Sequence, residues 1–168
     1  AGGPERGYCL GFTITPADDL FAEAFRDYAS GPGAPAVQHL TKDEAMAVLR
    51  RAESEGLMHS VWTFKTPFVA AICNCDLASG CMAMRTTLEF GYKTMWKGEY
   101  VARVDGEVCS GCGACEERCP FSAVTVDACS LAEIDLQACY GCGICRSACP
   151  VDALALTDRA SVVEPIIW

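Results

Sequence analysis

Two runs of cysteine dominate the chemistry that this sequence could perform. In each run three cysteines stand three residues apart, and a fourth follows four residues later, directly before a proline. The runs are Cys109, Cys112, Cys115 and Cys119, and, 30 residues further on, Cys139, Cys142, Cys145 and Cys149. A third cysteine in register after each pair, followed by a Cys-Pro step, favours iron–sulfur clusters. The alternatives are zinc sites with four cysteine ligands, which normally use paired Cys-x-x-Cys knuckles, and a disulfide framework.

The two runs resemble the ligand pattern of the bacterial two-cluster ferredoxins. The resemblance implies that three cysteines of each run wrap one 4Fe-4S cube, while the fourth, at the start of a helix, ligates the other cube. Cluster I is then held by Cys109, Cys112, Cys115 and Cys149, and cluster II by Cys139, Cys142, Cys145 and Cys119. Glycines recur with the ligands at 111 and 141 and at 113 and 143, where a positive φ lets backbone amides approach the cluster sulfides.

The repeat continues beyond the ligands, because residues 121–124 correspond in position to residues 151–154. It predicts one unit of loop, short helix and strand that is used twice. We therefore predict an α+β protein with a bacterial ferredoxin-like domain over residues 99–168, opened by a strand at 99–105. Residues 1–98 form a small α+β extension, a division that a chain of 168 residues allows.

The extension carries clear local signals. A first-turn proline and helical spacing of apolar residues predict a helix over residues 16–29. Thr41 and Glu44 form a capping box that predicts a second helix. This helix is expected to bury Ala45, Val48, Leu49 and Ala52. Extended patterns follow between residues 57 and 72, and a helix is predicted over 82–90.

A third group of cysteines lies within nine residues of the extension, at Cys73, Cys75 and Cys81. In a protein already built around iron–sulfur chemistry, these thiols predict a third 4Fe-4S cluster, which needs a fourth ligand. The candidates for that ligand, in decreasing order, are Cys9, Cys129, His59 and His39. A zinc knuckle and free thiols are the alternatives for this group.

Composition bears on the class of function. The formal net charge of -9, to which anionic clusters would add, argues against a nucleic-acid partner. Hydrophobic residues make up 51% of the chain, yet no apolar stretch approaches the length of a membrane span. The N-terminal residues show no export signal. Most of the thirteen cysteines are needed as thiolates, which indicates a reducing compartment. We therefore expect a cytoplasmic protein of anaerobic metabolism.

Every strong motif is a set of cluster ligands, and none is a catalytic constellation. We therefore expect a protein that is not an enzyme by itself. It would relay single electrons to or from a larger catalytic oxidoreductase subunit or other redox proteins. The alternatives are a freestanding soluble multi-cluster ferredoxin and a redox or iron sensor.

Residues 1–98 are similar to the N-terminal extension of some ferredoxin-like proteins of anaerobic bacteria, through Gly56-Leu57-Met58-His59, Ile72-Cys73-Asn74-Cys75 and Cys81. The whole arrangement resembles the small electron-transfer subunits of tungsten-dependent class II benzoyl-CoA reductases. That resemblance implies three clusters and docking on a larger tungstopterin subunit. It also implies that the third cluster is held by Cys9, Cys73, Cys75 and Cys81.

Overall fold

A computed structural model describes residues 7–12, 38, 40–65, 68–126 and 131–163. The elements in chain order are β1 (Tyr8–Gly11), α1 (Lys42–Ser54), β2 (Met58–Lys65), β3 (Phe68–Cys75), α2 (Met82–Leu88), β4 (Tyr100–Val104), α3 (Ala114–Arg118), β5 (Val124–Val126), β6 (Ala132–Ile134), α4 (Ile144–Ala148) and β7 (Leu154–Asp158), followed by a 3-10 turn at Arg159–Ser161. Short helices and small sheets alternate, which agrees with the predicted α+β class. The predicted helix over 16–29, His39 and Cys129 lie outside the described residues.

The first sheet is antiparallel and has the order β1-β3-β2. The two extended patterns are found as β2 and β3, but β3 continues past the predicted end to Cys75. β1 was not predicted as a strand, because its four residues pair with β3, whose partner residues lie 60 or more positions away in the sequence. Cys9 and Ser60 lie directly opposite Cys73 on the two neighbouring strands.

Helix α1 begins at the predicted capping box. The Glu44 backbone N–H donates to Thr41 Oγ1 at 3.3 Å, and the Thr41 N–H donates to Glu44 Oε2 at 2.8 Å. The helix buries less than predicted, since only Ala52 is fully buried. The other three predicted core positions, Ala45, Val48 and Leu49, are half-buried. Among the described residues, the long-range side-chain hydrogen bonds of this helix lie at its C-terminal end, around Glu53 and Glu55.

The second half of the chain forms two antiparallel strand pairs, β4 with β7 and β5 with β6. Both cysteine loops are held by equivalent backbone contacts. The N–H of Cys109 donates to Asp105 O, and the N–H of Cys139 donates to Asp135 O, each at 2.9 Å. The short helices α3 and α4 then begin after glycines with φ of 78° and 80°.

The fourth cysteine of each run lies at the end of a short helix, and not at the start of one as predicted. Cys119 caps the C-terminus of α3 with ψ of 106°, and Cys149 caps α4 with ψ of 116°. Each precedes a proline, whose ring disfavours the helical conformation in the preceding residue. The Cys-Pro step therefore stops the helix and turns the cysteine away from the loop that carries the other three.

One apolar core joins residues on both sides of the predicted boundary at 98/99. It contains Met58 and Met84 together with Val101 and Phe121, and it includes several of the cysteines. The division into two domains therefore stays a prediction. Within the described part of the chain, no helix is long and apolar enough to cross a membrane.

Candidate metal centres

The first cysteine loop lines a small cavity that is partly open to solvent. Four thiols line it, from Cys109, Cys112, Cys115 and Cys149. Cys149 comes from the second run, so the fold brings together the four residues that the ferredoxin resemblance groups as cluster I. Apolar side chains, including Val104 and Leu154, form the remaining wall. Burial raises the pKa of the Cys115 thiol, a cost for the free thiolate that ligation by iron would offset. This set of four thiol donors fits a 4Fe-4S cube.

The second loop brings Cys119 to the other three thiols of the predicted cluster II. Burial, with smaller contributions from the nearby Cys119 and Cys139, raises the pKa of Cys142 to about 11. Burial also raises the pKa of Cys145 to about 12, with smaller contributions from Cys142, Cys139 and Cys119. Each of the two candidate sites therefore takes three thiols from one run and the fourth from the other.

The two exchanged cysteines have matching backbone environments. The N–H of Ala123 donates to Cys119 Sγ, and the N–H of Ala153 donates to Cys149 Sγ, each at 3.3 Å. Hydrogen bonds to a sulfur favour its anionic, ligating form and are one means by which a protein adjusts a cluster's potential. These amides are thus part of both candidate sites.

An aromatic pair covers the second loop. The ring of Tyr140 stacks on Phe121 with 4.0 Å between centroids, and Phe121 is buried. Lys97 Nζ lies 5.7 Å from the centre of the Tyr140 ring. The first loop has Ser110 at the position that corresponds to Tyr140. Tyr140 therefore packs against the core, where its ring limits the access of water to the second site.

The third cysteine group assembles on one face of the first sheet. Cys9 Sγ lies 3.5 Å from Cys73 Sγ, across the β1-β3 pair. Cys75 shares this face with Cys73, because side chains two residues apart in a strand point to the same side. Burial raises the pKa of Cys73 to about 12, and the neighbouring Cys9 and Cys81 contribute.

A tight turn and α2 bring the fourth thiol of this group into place. The Ser79 N–H donates to Asp76 Oδ1 at 2.6 Å, and the Asp76 N–H donates to Ser79 Oγ at 2.9 Å. Cys81 follows the turn and accepts a hydrogen bond from the Cys75 thiol, which together with backbone N–H groups at the start of α2 lowers the pKa of Cys81 to about 6. Cys9, Cys73, Cys75 and Cys81 thus form one group of thiols.

Asn74 supports this thiol face from behind, a role that sequence reasoning missed. Its side chain is fully buried, and its Nδ2 donates to Tyr8 O at 2.9 Å and to Ile72 O at 3.4 Å. Its Oδ1 lies 2.5 Å from His59 Nδ1, which donates to it. His59 is paired with Asn74 across the sheet and therefore faces away from the thiols, so the fold does not bring it to this group. The sequence signal for this role was the position of Asn74, an amide side chain between the two candidate ligands Cys73 and Cys75.

Replacing Asn74 with alanine is expected to release the metal of the third site while leaving the two ferredoxin sites loaded. The change leaves the Tyr8 carbonyl and His59 Nδ1 without their partner, at a cost of about 1–3 kcal/mol. Since Tyr8 is next to Cys9, β1 should detach from β3. Metal content per chain is the measurement, and Thr125→Ala, on the exposed side of β5, is the control. A variant that keeps all its metal would contradict this role for Asn74.

The described cysteines are all free of disulfides, so a disulfide framework is not present in this part of the chain. Among the same residues, no three histidine, cysteine or carboxylate side chains converge closely enough to hold a single metal ion. A cube is held differently, because each of its cysteines ligates its own iron.

Residues 108–153, which include all eight cysteines of the two runs, match the family model described as a 4Fe-4S dicluster domain. This part of the chain is a ferredoxin-type domain, and its class indicates 4Fe-4S binding and electron transfer. No curated protein matches the chain significantly.

Proposed function

We propose that this protein is the electron-transfer subunit of a larger oxidoreductase and carries three 4Fe-4S clusters. The observation that carries the proposal is the cavity lined by Cys109, Cys112, Cys115 and Cys149, within a segment that matches the dicluster family. This cavity brings three cysteines of the first run together with one cysteine of the second run. A bound 4Fe-4S cluster takes up and releases single electrons.

The chain's own contribution is to bind, position and shield the clusters. Cysteine thiolates hold the irons, and the amides of Ala123 and Ala153 donate to the exchanged ligands. The Tyr140 ring and Phe121 limit water at the second site. These contacts favour clusters that stay bound through repeated oxidation and reduction, as a relay requires.

The four-thiol group of the extension supports a third cluster, held by Cys9, Cys73, Cys75 and Cys81. Cys81 of this group belongs to the same apolar core as Cys115 and Cys139, and Cys75 packs against that core. A third cluster there would extend the relay beyond the ferredoxin-type domain. The resemblance of the whole arrangement to the small subunits of tungsten-dependent class II benzoyl-CoA reductases supports a tungstopterin-containing partner.

Metal analysis tests the third cluster. We expect about twelve irons per chain after anaerobic purification, against about eight if only two cubes are present. Cys9→Ser should lower the iron content, whereas Cys129→Ser should not. If Cys9→Ser loses zinc and keeps all its iron, the third site is a zinc site and the proposed third cluster is refuted. If Cys129→Ser loses iron and Cys9→Ser does not, Cys129 is the fourth ligand and the choice of Cys9 is refuted.

The partner is tested by purifying the native protein anaerobically and identifying by mass spectrometry what co-migrates with it in size exclusion. We expect a larger subunit that contains tungsten. A lone species with the mass of this single chain would support a freestanding ferredoxin. Release of a partner on oxygen-driven cluster loss would support a sensor.

A further inference from the structure

Arg159, in the 3-10 turn after β7, binds four backbone carbonyls around the second cysteine loop. Its Nε donates to Gly98 O at 2.8 Å and its Nη1 to Leu136 O at 3.3 Å. Its Nη2 donates to Tyr100 O at 3.0 Å and to Cys139 O at 2.8 Å. The guanidinium therefore ties the start of β4 to the residue that begins the second cysteine run.

The charge of Arg159 is not neutralised by a carboxylate within the part of the chain that the structure describes. Arg146, on the nearby α4, differs in this respect, because its Nη2 lies 3.3 Å from Glu53 Oε1. Four carbonyl dipoles hold Arg159 in place but leave its full positive charge. Since the side chain is half-buried, water screens this charge less than it would on an open surface.

We propose that Arg159 sets the reduction potential of the cluster held by Cys119, Cys139, Cys142 and Cys145. The inference rests on the proposed function, since it requires a cluster at these residues. Reduction adds one electron, and so one negative charge, and in the voltammetric experiment the electrode supplies that electron. A cation bound to the carbonyl of the first ligand stabilises the more negative, reduced state and therefore raises the potential.

Other groups face the same loop and act in both directions. Lys97 Nζ donates to Gln137 O, which adds a second cation. The carboxylate of Asp135 accepts from the N–H groups of Gln137 and Ala138 and opposes reduction. The Tyr140 ring limits water, which favours the less charged, oxidised state. Substitution of Arg159 alone leaves these groups in place, so the difference between variants isolates its charge.

The test compares Arg159→Gln, which removes the charge, with Arg159→Lys, which keeps it but loses the planar fork. Lys42→Gln is the control, because it also removes one positive charge but does so far from the cluster. Lys42 lies about 16 Å along α1 from Glu53, the residue of α1 that contacts α4. Each protein is titrated by anaerobic voltammetry. The reduction step that belongs to cluster II is identified from the paramagnetically shifted β-proton NMR signals of its cysteine ligands.

In Arg159→Gln we expect the ratio of reduced to oxidised cluster II at a fixed potential to fall about three- to tenfold. This is a negative shift of about 28–59 mV, at 59 mV per tenfold change for one electron. Cluster I should keep its potential. Arg159→Lys and Lys42→Gln should both resemble the wild type.

An unchanged cluster II potential in Arg159→Gln overturns the inference, and so does an equal shift in Arg159→Lys, which would mean that the carbonyl fork matters and the charge does not. If Arg159→Gln does not retain cluster II, Arg159→Lys decides, since it supports the inference if its potential is unchanged and overturns it otherwise. Absence of iron from these four cysteines in the wild type would instead refute the proposed function.

Discussion

Replacing Cys149 with serine is expected to damage cluster I, although Cys149 belongs to the second cysteine run. Its thiol lines the same cavity as Cys109, Cys112 and Cys115. Without it one corner of the cube lacks a cysteine ligand. We expect the loss of roughly one to four irons per chain and a change in the β-proton NMR signals of the first-run ligands. The signals of Cys142 and Cys145 should remain.

Cys119→Ser is the matched variant, because Cys119 occupies the equivalent position in the first run and accepts the same 3.3 Å hydrogen bond from the backbone. It should produce the opposite result, damaging cluster II and sparing cluster I. The exchange of ligands between the halves is refuted if each variant damages the cluster of its own run.

Replacing Gly141 with alanine is expected to abolish cluster II. Gly141 has a φ of 75°, and a Cβ built on it would overlap the carbonyl oxygen of Tyr100. That oxygen belongs to the backbone of β4 and accepts a hydrogen bond from Arg159. Neither group can move without separating the second loop from β4. Iron content should fall by about four per chain, with loss of the cluster II EPR signal.

Gly113→Ala is the control for backbone strain alone. Gly113 has a nearly identical φ of 78°, but apart from its two neighbours in the chain no residue has an atom within 4 Å of the position that a Cβ would take. An alanine there costs about 1–2 kcal/mol for the left-handed conformation, and cluster I should remain. Equal cluster loss in both variants would mean that strain, and not the contact with Tyr100, is responsible.

Much of this protein follows from contacts between residues close in sequence. The capping box at Thr41 predicted the start of α1 to the residue, because both partners lie within one helical turn. The predicted helix over 82–90 and strand over 99–105 were confirmed within two residues as α2 and β4. The helix expected at the fourth cysteine was misplaced, although the proline after Cys119 already carried the signal for its end.

The sequence by itself determined that eight cysteines form two runs suited to iron–sulfur clusters, since cluster geometry demands that short spacing. Only the tertiary structure decided which distant groups meet them. Cys9 reaches Cys73 through a strand pairing that no local pattern specifies. In the sequence, Asn74 is an ordinary amide and Arg159 an ordinary charged residue. In the folded protein, Asn74 lies behind the thiol face and Arg159 donates a hydrogen bond to the carbonyl of Cys139. Their roles depend on contacts between segments remote in sequence, which composition and spacing do not encode.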